Sequence, residues 1–222
     1  MESKTQEISI SIASEELVLD GSGAAYWPDR GLLLLSDLHL GKVSHFRKFG
    51  AAIPRKALYG NFQKMDRLIE KYRPVGIYFL GDLFHSHLNA EWGLFRSFVQ
   101  KWRVSIEGDW VLVIGNHDLI SDWRFIDLGI QVVDRLVWEP FLLSHKPEDS
   151  AEHFNICGHI HPAIRVREYG RTRLRIPCFY KTRNRLILPA FGAFTGTHVV
   201  RPRPGEECYL IADGEVFAWR GQ

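Results

Sequence analysis

Cysteine is scarce. Cys157, Cys178 and Cys208 are odd in number and form no CxxC pair, which excludes a disulfide framework and a zinc ribbon and predicts buried thiols. No apolar run approaches the roughly 18 to 20 residues that span a bilayer. The opening MESKTQEISISIASEE has no basic stretch followed by an apolar one, so a cytoplasmic protein without membrane contact is expected. Repeats, low-complexity tracts and linker-like stretches are also missing. With 222 residues, 45% hydrophobic and 24% charged, the chain is expected to form one globular domain over residues 1–222 with a substantial core. A large net charge is absent from the whole, at +2, but not from its parts. Between Arg165 and Arg203 ten Lys or Arg face a single acid, Glu168, a net of +9 that leaves the remainder at −7.

Hydrophobic spacing places the elements. EISISIASEELVLDGSGAAYWP reads as two short antiparallel strands and a turn. LLLL (32–35), VGIYFL (75–80), WVLVI (110–114), FLLS (141–144) and HFNIC (153–157) read as short strands buried on both faces. Residues 54–72 open with a proline and set Leu58, Phe62, Met65, Ile69 and Tyr72 at helical spacing. Residues 89–102 do the same with Trp92, Phe95, Val99 and Trp102 behind an Asn89 cap. The C-terminal part reads as antiparallel strands with an ADG hairpin turn. Alternating β and α units before a β-rich end predict an α/β fold of two mixed sheets packed face to face with helices outside.

Each buried strand ends in residues that bind metals. In order they are DLH (Asp37, His39), GD (Asp82), GNHD (Asn116, His117, Asp118), SH (His145) and GHIH (His159, His161). If Asp37 and His39 continue the extended backbone, their i, i+2 spacing points both at one partner, and a metal ion fits. Carboxylate, imidazole and amide oxygen without thiolate favour Mn, Fe or Zn. The glycines before Asp82, Asn116 and His159 allow close backbone approach.

This ordered set resembles the calcineurin-like metallophosphoesterase superfamily, whose signature runs DxH, GD, GNH[DE], H and GHxH. The resemblance implies a four-layer α/β/β/α sandwich with two divalent metal ions. It assigns Asp37, His39, Asp82 and His161 to one metal and Asp82, Asn116, His145 and His159 to the other, with Asp82 bridging. It also implies in-line attack by a metal-bridging hydroxide, with Asn116 stabilising charge and His117 protonating the leaving oxygen while Asp118 orients its ring.

Outside the ligands, SDLHLGKVSHFRKFGAAIP, GDLFHS and LPAFGAFTGTHVV make the whole chain similar to the bacterial ligase-associated DNA damage response endonuclease (PdeM) subfamily. That similarity implies a Mn-dependent phosphodiesterase cleaving DNA in repair, linked to a DNA ligase and a helicase. The basic segment 165–203, interleaved with Phe179, Tyr180, Phe191 and Phe194, has the composition of a surface that tracks phosphates and stacks bases, with Arg171, Arg173 and Arg175 as contacts. A solvated strand face explains RTRLR equally well. Lys42 and Arg47 are expected near the scissile phosphate or on an exposed helix start, and His85 on the pocket rim. The alternatives are a sugar-nucleotide pyrophosphatase such as UDP-2,3-diacylglucosamine hydrolase, with Trp123, Phe125 and Ile126 as an apolar rim, or a non-catalytic scaffold on the same fold. Oligomeric state is left open by the sequence.

Overall fold

Alternation at Ile8, Ile10 and Ile12 forms the outermost strand of the first sheet. In the computed structural model, which describes residues 6–48, 50, 52, 58–85, 91–167 and 173–219, β1 (Glu7–Ile12) pairs antiparallel with β2 (Glu15–Asp20) and buries Ile10 and Ile12. β3 (Ala25–Trp27) and β4 (Leu32–Leu35) continue the antiparallel half. β5 (Gly76–Leu80), β6 (Trp110–Val113) and β7 (Ile130–Val133) then add in parallel, so the seven strands lie in sequence order.

The unpatterned LLLL run is explained by what lies on each side of it. Leu33 and Leu35, with Ile77 and Phe79, face a core shared with the helices. Leu32 and Leu34, with Tyr78 and Leu80, face a core between the two sheets. A strand covered on both faces has no polar side to alternate with. The short α1 (Lys42–Lys48) follows β4. α2 (Gly60–Tyr72) buries Phe62, Met65, Leu68 and Ile69, and α3 (Glu91–Trp102) buries Phe95, Phe98 and Val99. The expected helical faces are therefore present, although residues 53–57 and Asn89 lie outside the described residues.

The second sheet contains β8 (Arg135–Trp138), β9 (Phe141–Ser144), β10 (Phe154–Cys157), β11 (Pro162–Arg167), β12 (Arg173–Lys181), β13 (Arg185–Ile187) and β14 (His198–Val199), in the order β14-β11-β12-β13-β10-β9-β8. A hairpin of β15 (Glu207–Ala212) and β16 (Glu215–Trp219) joins through β12. Its turn is the expected ADG: Asp213 and Gly214 have φ of 53° and 77°, the left-handed pair a tight hairpin requires. Two mixed sheets with flanking helices match the expected class, and all three cysteines are free and buried.

The stretch from 119 to 140 differs from its reading. It holds β7, β8 and the one-turn α4 (Trp123–Ile126). Phe125 is not on a rim but 1% exposed in the helix-side core, against 55% for Trp123 and 59% for Ile126. The first sheet directs the carboxyl ends of β4, β5 and β6 to the same edge where β9 and β10 of the second sheet end.

Candidate metal centre

The backbone aims the site, by a route the sequence did not reveal. β4 ends at Leu35, and Asp37 and His39 are not extended: their φ values are 55° and 48°. Asp82, His159 and His161 are also left-handed, at 49°, 67° and 51°. Side chains rarely adopt this conformation, which costs on the order of 1–3 kcal/mol per residue unless the surroundings impose it. Here the loops brace one another. Asp37 N–H donates to Gly81 O at 3.1 Å, His39 N–H to Asp82 O at 2.9 Å, and Gly192 N–H to Asp37 O at 3.1 Å. Close approach excludes a side chain at the site's glycines: a Cβ on Gly81 would strike the His145 ring, and one on Gly158 would strike Ser36 Oγ.

Two donor clusters result. In the first, His161 Nε2 lies 3.0 Å from Asp37 Oδ1 and 3.4 Å from His39 Nε2. In the second, His145 Nε2 lies 3.1 Å from both Asn116 Oδ1 and His159 Nδ1. Asp82 joins them, with Oδ2 3.8 Å from His39 Nε2 and Oδ1 3.5 Å from His145 Nε2. The sets Asp37, His39, His161 and Asp82, His145, His159 each bring their donor atoms within 4.8 Å of one another.

The atoms behind the clusters orient these donors as a metal needs. His145 Nδ1 faces Leu80 O at 3.0 Å and His161 Nδ1 faces Gly196 O at 3.1 Å, so those nitrogens carry the protons and the Nε2 lone pairs point inward. Asp37 Oδ2 accepts from Ser36 Oγ at 2.6 Å and from His159 N–H at 2.9 Å. Asp37 Oδ1 is buried and accepts no hydrogen bond, a cost a cation would remove. Burial pushes His39 down to about 3 and lowers His159, keeping both neutral. Burial also opposes charge on His161, but the Asp37 carboxylate and Gly196 carbonyl outweigh it and raise its pKa. The pocket thus favours positive charge at this point, and the donor set fits divalent cations.

Around the clusters, the expected catalytic residues divide. Asn116 and His117 are exposed, and His117 N–H donates to Asp82 Oδ1 at 2.8 Å. Among the described residues no hydrogen bond joins Asp118 to the His117 ring it was expected to orient. Asp118 Oδ1 accepts from Phe84 N–H and its Oδ2 from Gly115 N–H, both at 2.9 Å, and burial pushes its carboxyl up to about 6. The ring stacked on His117 is His85, with centroids 5.6 Å apart and planes inclined 27°.

A family model described as calcineurin-like phosphoesterase matches residues 32–184, spanning both clusters. The chain belongs to the calcineurin-like phosphoesterase family. It is similar to the crystal structure of Pseudomonas putida nuclease MPE, at 31% identity over 96% of this chain and 100% of that one, with a TM-score of 0.81. A second solved structure, Yfce, a phosphoesterase from E. coli, is 14% identical over 82% of this chain and 88% of its own, with a TM-score of 0.41, too low to guide the reading. No curated protein matches the sequence. Membership makes the chain a metal-dependent phosphoesterase, of a family whose members typically hold two metals.

The phosphoesterase centre opens on two cavities. One of about 260 Å³ is lined by Asn116, His145 and Lys146, and one of about 630 Å³ by His161, Lys64, Arg67 and Thr197. Lys42 sits close enough to feel the Asp82 charge, although burial lowers its pKa overall. Arg47 lies in α1 and Arg173 in β12, with side chains outside the described residues, as is all of Arg171. Arg175 is exposed and lines a separate cavity, with Nη1 3.5 Å from Thr197 O. The sequence reading missed Ser36 and Lys64, the latter donating to Phe191 O at 2.7 Å and resting 3.8 Å from that ring's centre. Ser36 is adjacent to a motif, but nothing in its spacing marks it.

Proposed function

We propose that the chain is a binuclear phosphodiesterase that cleaves DNA as an endonuclease in DNA repair, with Mn as the native metal. One observation carries the two-metal reading: Asp82 presents one carboxylate oxygen to each donor cluster. Asp37, His39, Asp82 and His161 would hold one cation, and Asp82, Asn116, His145 and His159 the other. When bound, the pair supplies a water of lowered pKa and neutralises charge on the phosphoryl oxygens. The protein does the rest. Asn116 offers its amide to the phosphoryl group, and His117, on the exposed rim, donates a proton to the leaving oxygen. His85 positions that imidazole by stacking, and Lys42 adds positive charge beside the phosphate.

Similarity to a nuclease and the basic segment 165–203 support a nucleic-acid substrate. Within this reading the 222 residues act as one domain, and a DNA ligase and a helicase are its partners. The test uses metal-stripped protein reloaded with Mn and compares an aryl phosphodiester, the matching monoester, and single-stranded and duplex DNA. Diester turnover with DNA cleavage, both lost in His145→Ala, is the expected result. Diester turnover without DNA cleavage would move the substrate to a small diester or sugar nucleotide.

A further inference from the structure

Arg165 in β11 and Arg175 in β12 stand directly opposite each other in the antiparallel register. Like charges facing across a ladder repel. Both residues are exposed, and among the described residues neither pairs with a carboxylate. Arg175 Nη1 reaches only Thr197 O, at 3.5 Å. The two arginines line a cavity of about 680 Å³ with His198, Arg201 and Trp219, and no Asp or Glu contributes to its described wall. Trp219 is partly buried, packed against a small apolar cluster around Ile164 and Cys178. A strand pair that sets two arginines opposite each other on one cavity wall without a counter-charge is suited to an anion with several acceptor oxygens, and phosphate matches the guanidinium fork.

The cavity's position favours a nucleic-acid strand over an acidic protein. His198 N–H donates to His161 O at 2.8 Å, which ties the cavity wall to the first donor cluster. Thr197 lines both this cavity and the one that contains His161. Arg165 lies four residues beyond His161, roughly 13 Å along an extended strand. A strand leaving the metal centre reaches it within a few nucleotides.

We propose that this cavity is a distal subsite for single-stranded nucleic acid, in which Arg165, Arg175 and Arg201 hold a phosphate remote from the scissile one and Trp219 stacks a neighbouring base. The subsite rests on the phosphodiesterase reading above, but its test is separate. Fluorescence anisotropy of a labelled single-stranded oligothymidylate is measured with the protein as isolated over a series of NaCl concentrations. Arg165→Gln with Arg201→Gln is expected to weaken binding at least tenfold at low salt. It should also flatten the slope of log affinity against log salt by about 0.7, the amount for one lost phosphate contact. Trp219→Leu should cost about tenfold without changing the slope, and Trp219→Phe, which keeps the packing and a stacking face, should retain most of the affinity.

Unchanged affinity and slope in the double arginine variant would overturn the proposal. So would a wild type that does not bind the oligonucleotide, which would leave the arginines to an acidic protein surface. Turnover of the aryl phosphodiester by the same preparations reports on the metal centre alone. Diester turnover without arginine-dependent binding sinks the subsite only, and binding without turnover sinks the diesterase reading only.

Discussion

His117 has its side chain on the exposed rim of the metal centre, while its neighbour Asp118 turns inward to two backbone N–H groups. The two positions should therefore fail differently. His117→Ala is expected to lower kcat by about 10²- to 10⁴-fold for diesters with poor alkyl leaving groups and far less for aryl ones. Equal losses on both would count against its acid role. Asp118→Ala strands two N–H groups at about 1–3 kcal/mol each, so it should lower the denaturation midpoint without changing leaving-group dependence. Ser36 gives a third test. Its hydroxyl fixes Asp37 Oδ2 so that Oδ1 faces the cluster, and Ser36→Ala is expected to weaken Mn binding about 10- to 100-fold by calorimetric titration.

Between elements, α2 is tied to the first two strands by charge. Lys71 Nζ lies 2.6 Å from Glu7 and 2.7 Å from Asp20, and the Tyr72 hydroxyl touches both carboxylates. Hydrogen bonds from Lys71 and Tyr72 hold Glu7 below its usual range. Burial pushes Asp20 up, but bonds from Lys71, Ser22 and Tyr72 outweigh it and leave it lowered as well. Carboxylates lowered on folding add stability above their unfolded pKa and lose it as pH falls through the folded value. Wild type should thus exceed Lys71→Met in denaturant midpoint at neutral pH, and the gap should close below about pH 4. A gap that persists in acid would mean the lysine acts through packing. On the apolar side, Phe95 of α3 is fully buried with Phe79, Phe84 and Phe125 around it, so Phe95→Ala should cost about 3–5 kcal/mol in chemical denaturation.

For the whole molecule, metal binding and folding are linked, because both clusters are assembled from loops of two different sheets. Adding Mn at 100 times its dissociation constant should stabilise the fold by about 2.7 kcal/mol per site, read as a rise in the thermal midpoint that chelator reverses. Asp82→Ala should remove most of that rise, since it takes a donor from each cluster. No rise in wild type would contradict a preformed centre.

The sequence by itself determined which residues to expect at the centre. Buried strands leave unpatterned apolar runs, and Asp, His and Asn in a fixed order at their ends are chemically recognisable without coordinates. Asp37, His39, Asp82, Asn116, His145, His159 and His161 do come together. The tertiary structure alone decided how they converge and what supports them. Asp37 and His39 meet through left-handed loop backbone rather than strand alternation, because φ is set by hydrogen bonds to the carbonyls of Gly81 and Asp82, just past β5, and from Gly192, all remote in sequence. The resemblance implied that Asp118 orients His117, whereas the hydrogen bonds its carboxylate accepts come from the N–H groups of Phe84 and Gly115. The orienting groups Leu80 O and Gly196 O are main chain, identical in every residue type and so without any signature in the sequence. The arginines of the basic segment were countable, but only strand register put Arg165 opposite Arg175, because pairing depends on how two separate stretches of backbone meet.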